Sequence, residues 1–142
     1  MKKKIIVILS SFFLSVINYD LAYAKTSYFE EGKKLFDNKK YVDSKFYFEK
    51  DIVFNPKSET SYLYLAKIFK EKKEQSLQEN NLNTVLLLNP KNEEAVYLLA
   101  LLNIEKSNFS KSKELIKNLN LLCNNFCNKI KELENKLENS LK

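Results

Sequence analysis

The sequence predicts an all-α fold, three helical hairpins closed by a C-terminal helix, and three observations carry that expectation. The tripeptide Asn-Pro-Lys occurs at Asn55-Pro56-Lys57 and again, one 34-residue period later, at Asn89-Pro90-Lys91. Each copy follows an apolar pair, Val53-Phe54 or Leu87-Leu88. Proline pushes the residue before it out of the α region, so the two copies mark one helix stop recurring at a fixed period, the signature of stacked helical hairpins. One glycine and two prolines in 142 residues leave little turn chemistry for a sheet protein, whereas Lys, Glu and Leu, all good helix formers, are plentiful. Finally, Tyr62, Leu65, Ala66 and Phe69 recur at i, i+3, i+4 and i+7, as do Val96, Leu99, Ala100 and Asn103 with only the last polar, so each set forms one helical face.

Taken in order, the chain opens on an address. Met1 and Lys2 to Lys4 form a positive start, Ile5 to Ile17 is apolar apart from three serines, and Ala22-Tyr23-Ala24 is a small-x-small cleavage signal. Residues 1–24 thus read as a secretory signal peptide cut after Ala24. The apolar run is short of the roughly 20 residues that span a bilayer as a helix, which makes an uncleaved anchor the weaker alternative. Helices are then expected at 26–38, 41–54, 58–72, 75–88, 92–106 and 109–121. A seventh, 126–141, aligns Ile130, Leu133, Leu137 and Leu141 on one stripe and turns Lys129, Glu132, Glu134, Lys136 and Glu138 to water, as befits a helix that closes the open end of a stack.

With each proline at position 32, the units run 25–58, 59–92 and 93–126, and 127–142 is left as the capping helix. In this register Tyr28, Gly32, Tyr41, Ser44 and Phe48 of the first unit take the large, small and aromatic positions of a 34-residue pattern. Tyr62, Leu65, Ala66, Phe69, Leu82 and Val85 do so in the second; Leu99, Ala100, Phe109, Ser112 and Ile116 do so in the third. The sequence resembles the tetratricopeptide repeat family, of the exported bacterial type. The resemblance implies a right-handed α-solenoid of three hairpins with a capping helix. Its departures are Glu31, Leu35, Gln78, Asn103 and Asn124; Gln78 stands where the family has a small residue, which predicts a looser helix crossing in the second hairpin. A compact helical bundle would share the pattern but leaves the 34-residue spacing unexplained.

Cys123 and Cys127 are the two cysteines, an even number in a chain with an export signal, and a disulfide is the first expectation. A regular helix holds the Cβ atoms of i and i+4 too far apart for the bond, so the bond implies a turn at Asn124-Asn125, residues that tolerate left-handed backbone. Free thiols and a redox-active pair are the alternatives. Two thiols without histidine fall short of a zinc site, and no metal or other cofactor is expected.

Composition excludes much else. All 24 basic side chains are lysine, and there is no histidine, arginine or tryptophan. The chain therefore lacks a histidine-activated nucleophile and a bidentate anion clamp, and its one glycine, Gly32, cannot build a glycine-rich phosphate loop. Gly32 is expected to serve helix packing. No enzymatic activity is expected. Removing residues 1–24 takes away three lysines and one aspartate and lowers the net charge from +6 to +4. The remaining lysines alternate with acids, as on solvated helix faces, so neither nucleic acid nor, after cleavage, a membrane anchor is implied.

The resemblance places function in a groove lined by the first helix of each hairpin, where the family accepts a peptide. The corresponding residues are Phe29, Lys33 and Phe36, then Leu63, Lys67 and Lys70, then Tyr97, Leu101 and Ile104, with Tyr64 at the border. Apolar ends would supply affinity and the three lysines would favour an acidic partner. The same spacing also fits Phe29, Phe36, Leu101 and Ile104 as packing residues. The expected protein is a non-enzymatic interaction module or adaptor in the periplasm or secreted. The alternatives are a self-associating or membrane-surface envelope component, and a thiol-disulfide oxidoreductase using Cys123 and Cys127.

Overall fold

The computed structural model describes residues 28–142, and the expected signal peptide at 1–24 lies outside them. The described residues form seven helices and no strand: α1 at 28–37, α2 Tyr41–Phe54, α3 Glu59–Glu71, α4 Gln75–Leu88, α5 Glu93–Glu105, α6 Phe109–Leu122 and α7 Cys127–Ser140. The chain is an all-α helical repeat whose helix ends lie close to those expected. It divides into two compact units, one ending at Ser58 and one beginning at Glu59.

The first unit is the α1–α2 hairpin. Its two helices approach through small residues: a Cβ at Gly32 would lie 3.0 Å from two ring carbons of Phe48, which is fully buried. Ser44 Oγ donates to the Gly32 carbonyl oxygen at 2.8 Å, joining the helices at the same point. Around this crossing Phe29 packs on Phe48 with ring centroids 5.8 Å apart, and Tyr28 stacks on Phe54 at 5.5 Å. Lysine and aromatic faces combine at the edge, where Lys50 Nζ sits 5.0 Å from the Tyr28 ring and 4.9 Å from that of Phe46.

The second unit holds two hairpins and α7. At its centre α5 packs against α4, α6 and α7. Of its 13 residues nine are buried, from Ala95 to Ile104 with only Tyr97 partly exposed in that stretch, because a helix apolar on every side is stable only when covered on every side. Its start is set by Asn92, whose side-chain oxygen accepts the Ala95 N–H at 2.9 Å, with Glu93 and Glu94 in the positive first turn. The third hairpin repeats the first one's device: Ser112 Oγ donates to the Ala100 carbonyl oxygen at 3.3 Å. In the second hairpin Gln78 does not loosen the crossing, since α3 and α4 pack at least as extensively as α5 and α6. The unbranched Gln78 side chain stays 3% exposed. Asn103, in place of an aromatic, is buried and donates to the Leu99 carbonyl oxygen at 2.8 Å.

The 34-residue period is written into the backbone. Lys39, Lys73 and Ser107, which hold one register position in successive hairpins, have φ of 58°, 59° and 58°. Each follows the first helix of a hairpin and makes the same pair of bonds. The Lys39, Lys73 and Ser107 amides donate to the carbonyls of Phe36, Lys70 and Ile104; the Lys40, Glu74 and Asn108 amides donate to those of Leu35, Phe69 and Asn103. This is the left-handed helix stop that usually takes glycine. A second recurrence joins Asn55, Asn89 and Cys123, whose amides close α2, α4 and α6 on the carbonyls of Asp51, Val85 and Leu119. Cys123 thus occupies the register of the two Asn-Pro asparagines.

In α7 Leu133 and Leu137 are buried and Ile130 is partly so, but Leu141 lies beyond the last helical residue and is 53% exposed. The apolar stripe is one residue shorter than the spacing suggests. No described helix is long and apolar enough to cross a membrane.

Candidate functional site

The ten residues expected to line a groove fall into two groups. In the first unit Phe29 and Phe36 are partly buried against Phe48 and Tyr41, and the exposed Lys33 pairs with Asp37 at 3.7 Å. In the second unit Leu63, Leu101 and Ile104 are at most 7% exposed and belong to the core, while Leu101 and Ile104 also border a cavity of about 480 Å³ together with Phe109 and Lys136. Tyr64, Lys67 and Tyr97 remain partly exposed, and Lys70 is exposed at the end of α3.

These side chains sit on a face that α3, α5 and α7 share, and polar contacts tie its helices together. Lys67 Nζ of α3 bonds Glu94 Oε1 of α5 at 2.7 Å while lying 4.7 Å from the centre of the Tyr64 ring. Tyr97 of α5 donates its hydroxyl to Glu132 Oε1 of α7 at 3.0 Å, packs its ring on Phe126 at 5.8 Å and has Lys129 Nζ 5.8 Å from its centre. Glu132 also accepts from Lys129 at 3.0 Å and faces Lys136 at 3.6 Å. Glu132 is therefore not simply turned to water. Two tyrosines, each with an ammonium over it, alternate along the face with two carboxylates.

The electrostatics follow. Burial pushes the Tyr97 hydroxyl up to about 12, and the Glu132 carboxylate beside it adds to the shift. The Lys129 ammonium, then the Tyr97 hydroxyl, holds Glu132 below the usual carboxylate range. On this face Lys67 is balanced by Glu94, so the face is less basic than its lysines suggest, and in the first unit Lys33 is balanced by Asp37. The sequence alone does not single out Glu94 and Glu132, because each acts on a helix remote from its own; only the wheels of α5 and α7, set against the repeat register, could have placed them.

Cys123 and Cys127 form a disulfide, with Cα atoms 5.1 Å apart, across the turn between α6 and α7. The turn falls where the bond requires it, but its asparagines are not left-handed; among the described residues that conformation falls only at Lys39, Lys73 and Ser107. Instead the Glu93 carboxylate holds the turn: its Oε2 accepts the amides of Asn125 and Phe126, each at 2.9 Å. The Phe126 amide above all keeps Glu93 below the usual carboxylate range. Among the described residues no group of three or more Cys, Asp or Glu side chains is placed to hold a metal ion.

No protein-family model matches the sequence, and no curated protein matches it either. Solved structures do. The chain is similar to the TPR2B domain of yeast Sti1 in its pHsp70 complex, with 16% identity, a TM-score of 0.74, and 82% of this chain against 97% of that one. It is similar to the second TPR domain of human RPAP3 in complex with an HSP70 peptide, with 15% identity, a TM-score of 0.72, and 86% against 98%. A third likeness is to the Yersinia enterocolitica type III secretion chaperone SycD in complex with a peptide of the translocator YopD, with 15% identity, a TM-score of 0.68, and 82% against 88%. The fold of this chain is that of a tetratricopeptide repeat domain.

Proposed function

We propose that this chain is a non-enzymatic protein-interaction module that takes up a segment of a partner protein on the shared face of α3, α5 and α7, working in the cell envelope after export. The observation that carries the reading is the run from Tyr64 and Lys67 through Glu94 and Tyr97 to Glu132. It fixes two aromatic anchors between three helices and leaves them partly exposed. Tyrosines held in place ahead of binding lose little conformational entropy when a partner arrives, which is why such residues dominate binding energy at protein interfaces. Lys70 at the edge of the face favours acidic residues in that partner. The yeast, human and Yersinia domains described above, all seen with peptides or a partner protein, support a peptide as the ligand class.

The test is site-specific photo-crosslinking in the organism's own envelope extract. A benzophenone side chain at Tyr64 or Tyr97 is expected to capture one partner, and the same group at Leu87 or Lys117, exposed on α4 and α6, is not. Capture from Leu87 or Lys117 alone would overturn the reading. Export is checked separately: the mature chain is expected to begin at Lys25.

A structural, self-associating or membrane-surface role has one observation in its favour. Val53, Leu87 and Leu121 hold one register position in the three hairpins and are 73%, 83% and 78% exposed, so each second helix ends on an apolar side chain in water. Sedimentation across concentrations, with and without anionic vesicles, separates the two readings, because the interaction module is expected to stay monomeric and unbound. The thiol-exchange reading predicts a mixed disulfide when Cys127→Ser is offered an oxidised peptide.

A further inference from the structure

The second helices of the three hairpins are stopped by different chemistry. After α2 and α4 an Asn-Pro pair ends the helix, and proline does so permanently. After α6 Cys123 holds the asparagine's register and is joined to Cys127, the first residue of α7. Cys127 is exposed and Cys123 only partly buried, so a dissolved thiol reaches this bond. Among the described residues it is the helix stop that a reagent can open and close.

What the bond holds is the start of α7. Among the described residues no side chain caps that helix, and its first turn carries no acid, so neither of the usual devices secures its free N–H groups. Two restraints stand in for them. Glu93 accepts the Asn125 and Phe126 amides, and the disulfide ties Cys127 to the end of α6. Glu93 fixes backbone ahead of the helix, whereas the disulfide fixes the first helical residue and with it the direction in which α7 sets out. A short closed loop adds little global stability, so the effect of the bond is local to the turn it spans.

The bracketed segment forms the surroundings of Tyr97. The ring of Phe126, between the two cysteines, packs on the Tyr97 ring at 5.8 Å, and Lys129, in the first turn of α7, has its Nζ 5.8 Å from the centre of that ring. Glu132 accepts the Tyr97 hydroxyl from further along the helix, beside the buried Leu133. Opening the sulfur bridge frees Phe126 and Lys129 to move while Leu133 and Leu137 keep the rest of α7 in place. Tyr97 is then less ordered before a partner arrives, and ordering it on binding costs affinity.

We propose that the bond between Cys123 and Cys127 is a redox gate on the face of α3, α5 and α7, holding Tyr97 ready for a partner when oxidised and loosening it when reduced. The inference rests on the reading of that face as the binding surface and names its regulation. The reductant is a dithiol. One of its thiolates attacks a sulfur of the bridge and forms a mixed disulfide, and its second thiolate then displaces the sulfur of this chain. Two electrons and two protons pass to the cysteines, leaving two thiols here and a disulfide on the reductant. The same dithiol in its disulfide form reverses the exchange.

The full mature chain is compared oxidised, reduced by dithiothreitol and reoxidised, with no partner present. Reduction is expected to weaken the nuclear Overhauser contact between the Tyr97 and Phe126 rings. It is also expected to speed amide exchange from Asn128 to Lys131 about tenfold, with Leu133 and Leu137 unchanged, and reoxidation to restore both. The double variant Cys123→Ser, Cys127→Ser should behave as the reduced chain in either buffer. It also stands in for the reduced chain in envelope extract, where dithiothreitol would act on other proteins. Benzophenone at Tyr64 leaves Tyr97 intact, and half-maximal capture is expected to need roughly three- to tenfold more of the double variant than of the parent, the cost of immobilising one or two loosened side chains. Unchanged ring contact and exchange on reduction, or equal capture by variant and parent, would overturn the gate alone. Capture by neither chain would overturn the reading of the face and the gate with it.

Discussion

The carboxylate of Glu93 and the backbone of Phe126, remote in sequence, meet at 2.9 Å, so the first residue of α5 holds the turn that launches α7. The Asn125 amide joins the same oxygen. Two N–H groups converging on one carboxylate favour its charged form, in line with the lowered pKa of Glu93. A carboxylate whose pKa is lowered by folding adds stability above its unfolded value, near 4.5, and that stability is lost as pH falls through the lower folded value. Glu93→Gln is therefore expected to lower stability at neutral pH and to flatten its decline below pH 4.5. Hydrogen exchange should show the Asn125 and Phe126 amides exposed in Glu93→Ala before the rest of α7. Equal acid dependence in Glu93→Gln and the parent would reject the role.

The disulfide fastens the same turn from its other side. Cys123 stands in the register of Asn55 and Asn89, so the bond to Cys127 does at the third helix stop what Asn-Pro does at the first two. The closed loop is short, and loop entropy alone gives roughly 2 kcal/mol. The double variant Cys123→Ser, Cys127→Ser is expected to lose no more than about that in urea unfolding, because Leu133 and Leu137 still bury their side chains. Combined with Glu93→Ala it should lose less than the two separate losses together, since both act on one turn.

The helices were legible because the Asn-Pro stops and the 3.6-residue rhythm are local signals. Helix stops at Lys39, Lys73 and Ser107 were not, since neither lysine nor serine advertises a positive φ and no glycine marks the places. Three candidate site residues are almost wholly buried for a related reason. Leu101 and Ile104 lie on a helix that is apolar all round, where spacing cannot say which side meets solvent, and Leu63 packs into the same core. Glu93, Glu94 and Glu132 act across long sequence distances, and a single sequence carries no record of which acid meets which partner. Gln78 was visible as a departure from the pattern, but the crossing it marks is packed as closely as that of the third hairpin.

The left-handed stops should respond to glycine. An L-residue in this conformation costs roughly 1–2 kcal/mol, of which glycine recovers part while losing more entropy on folding. Ser107→Gly and Lys39→Gly are each expected to stabilise the chain by about 0.5–1 kcal/mol in equilibrium denaturation, with no change in helix content. Ser107→Val should destabilise it by more than that. Indifference to all three would mean that the turns carry no strain.

Gly32 gives the opposite case. Alanine is favoured over glycine inside a helix by about 1 kcal/mol, so a free site would gain from the change. Here the new methyl would meet Phe48 at 3.0 Å, and that ring is fully buried. Overpacking of this kind costs about 1–3 kcal/mol and outweighs the propensity gain. Gly32→Ala is expected to lower stability by about 1 kcal/mol, and a stabilised Gly32→Ala would show that the α1–α2 crossing is looser than described.

Tyr97 can be followed directly among the eight tyrosines by its phenolate absorbance. Its pKa of about 12 lies above the ordinary value of 10.0 because burial disfavours the phenolate and Glu132 repels it. A group whose pKa is raised by folding contributes stability fully below the unfolded value and loses it as pH rises through the folded one, here between about 10 and 12. One tyrosine is thus expected to ionise late, in step with the loss of helical signal in circular dichroism. Tyr97→Phe should remove that late step. Glu132→Gln keeps an acceptor for the hydroxyl but removes the charge, so it should bring the step to lower pH without abolishing it, because burial remains. A late step that survives Tyr97→Phe would place the shifted hydroxyl elsewhere and undo the contact that ties α5 to α7.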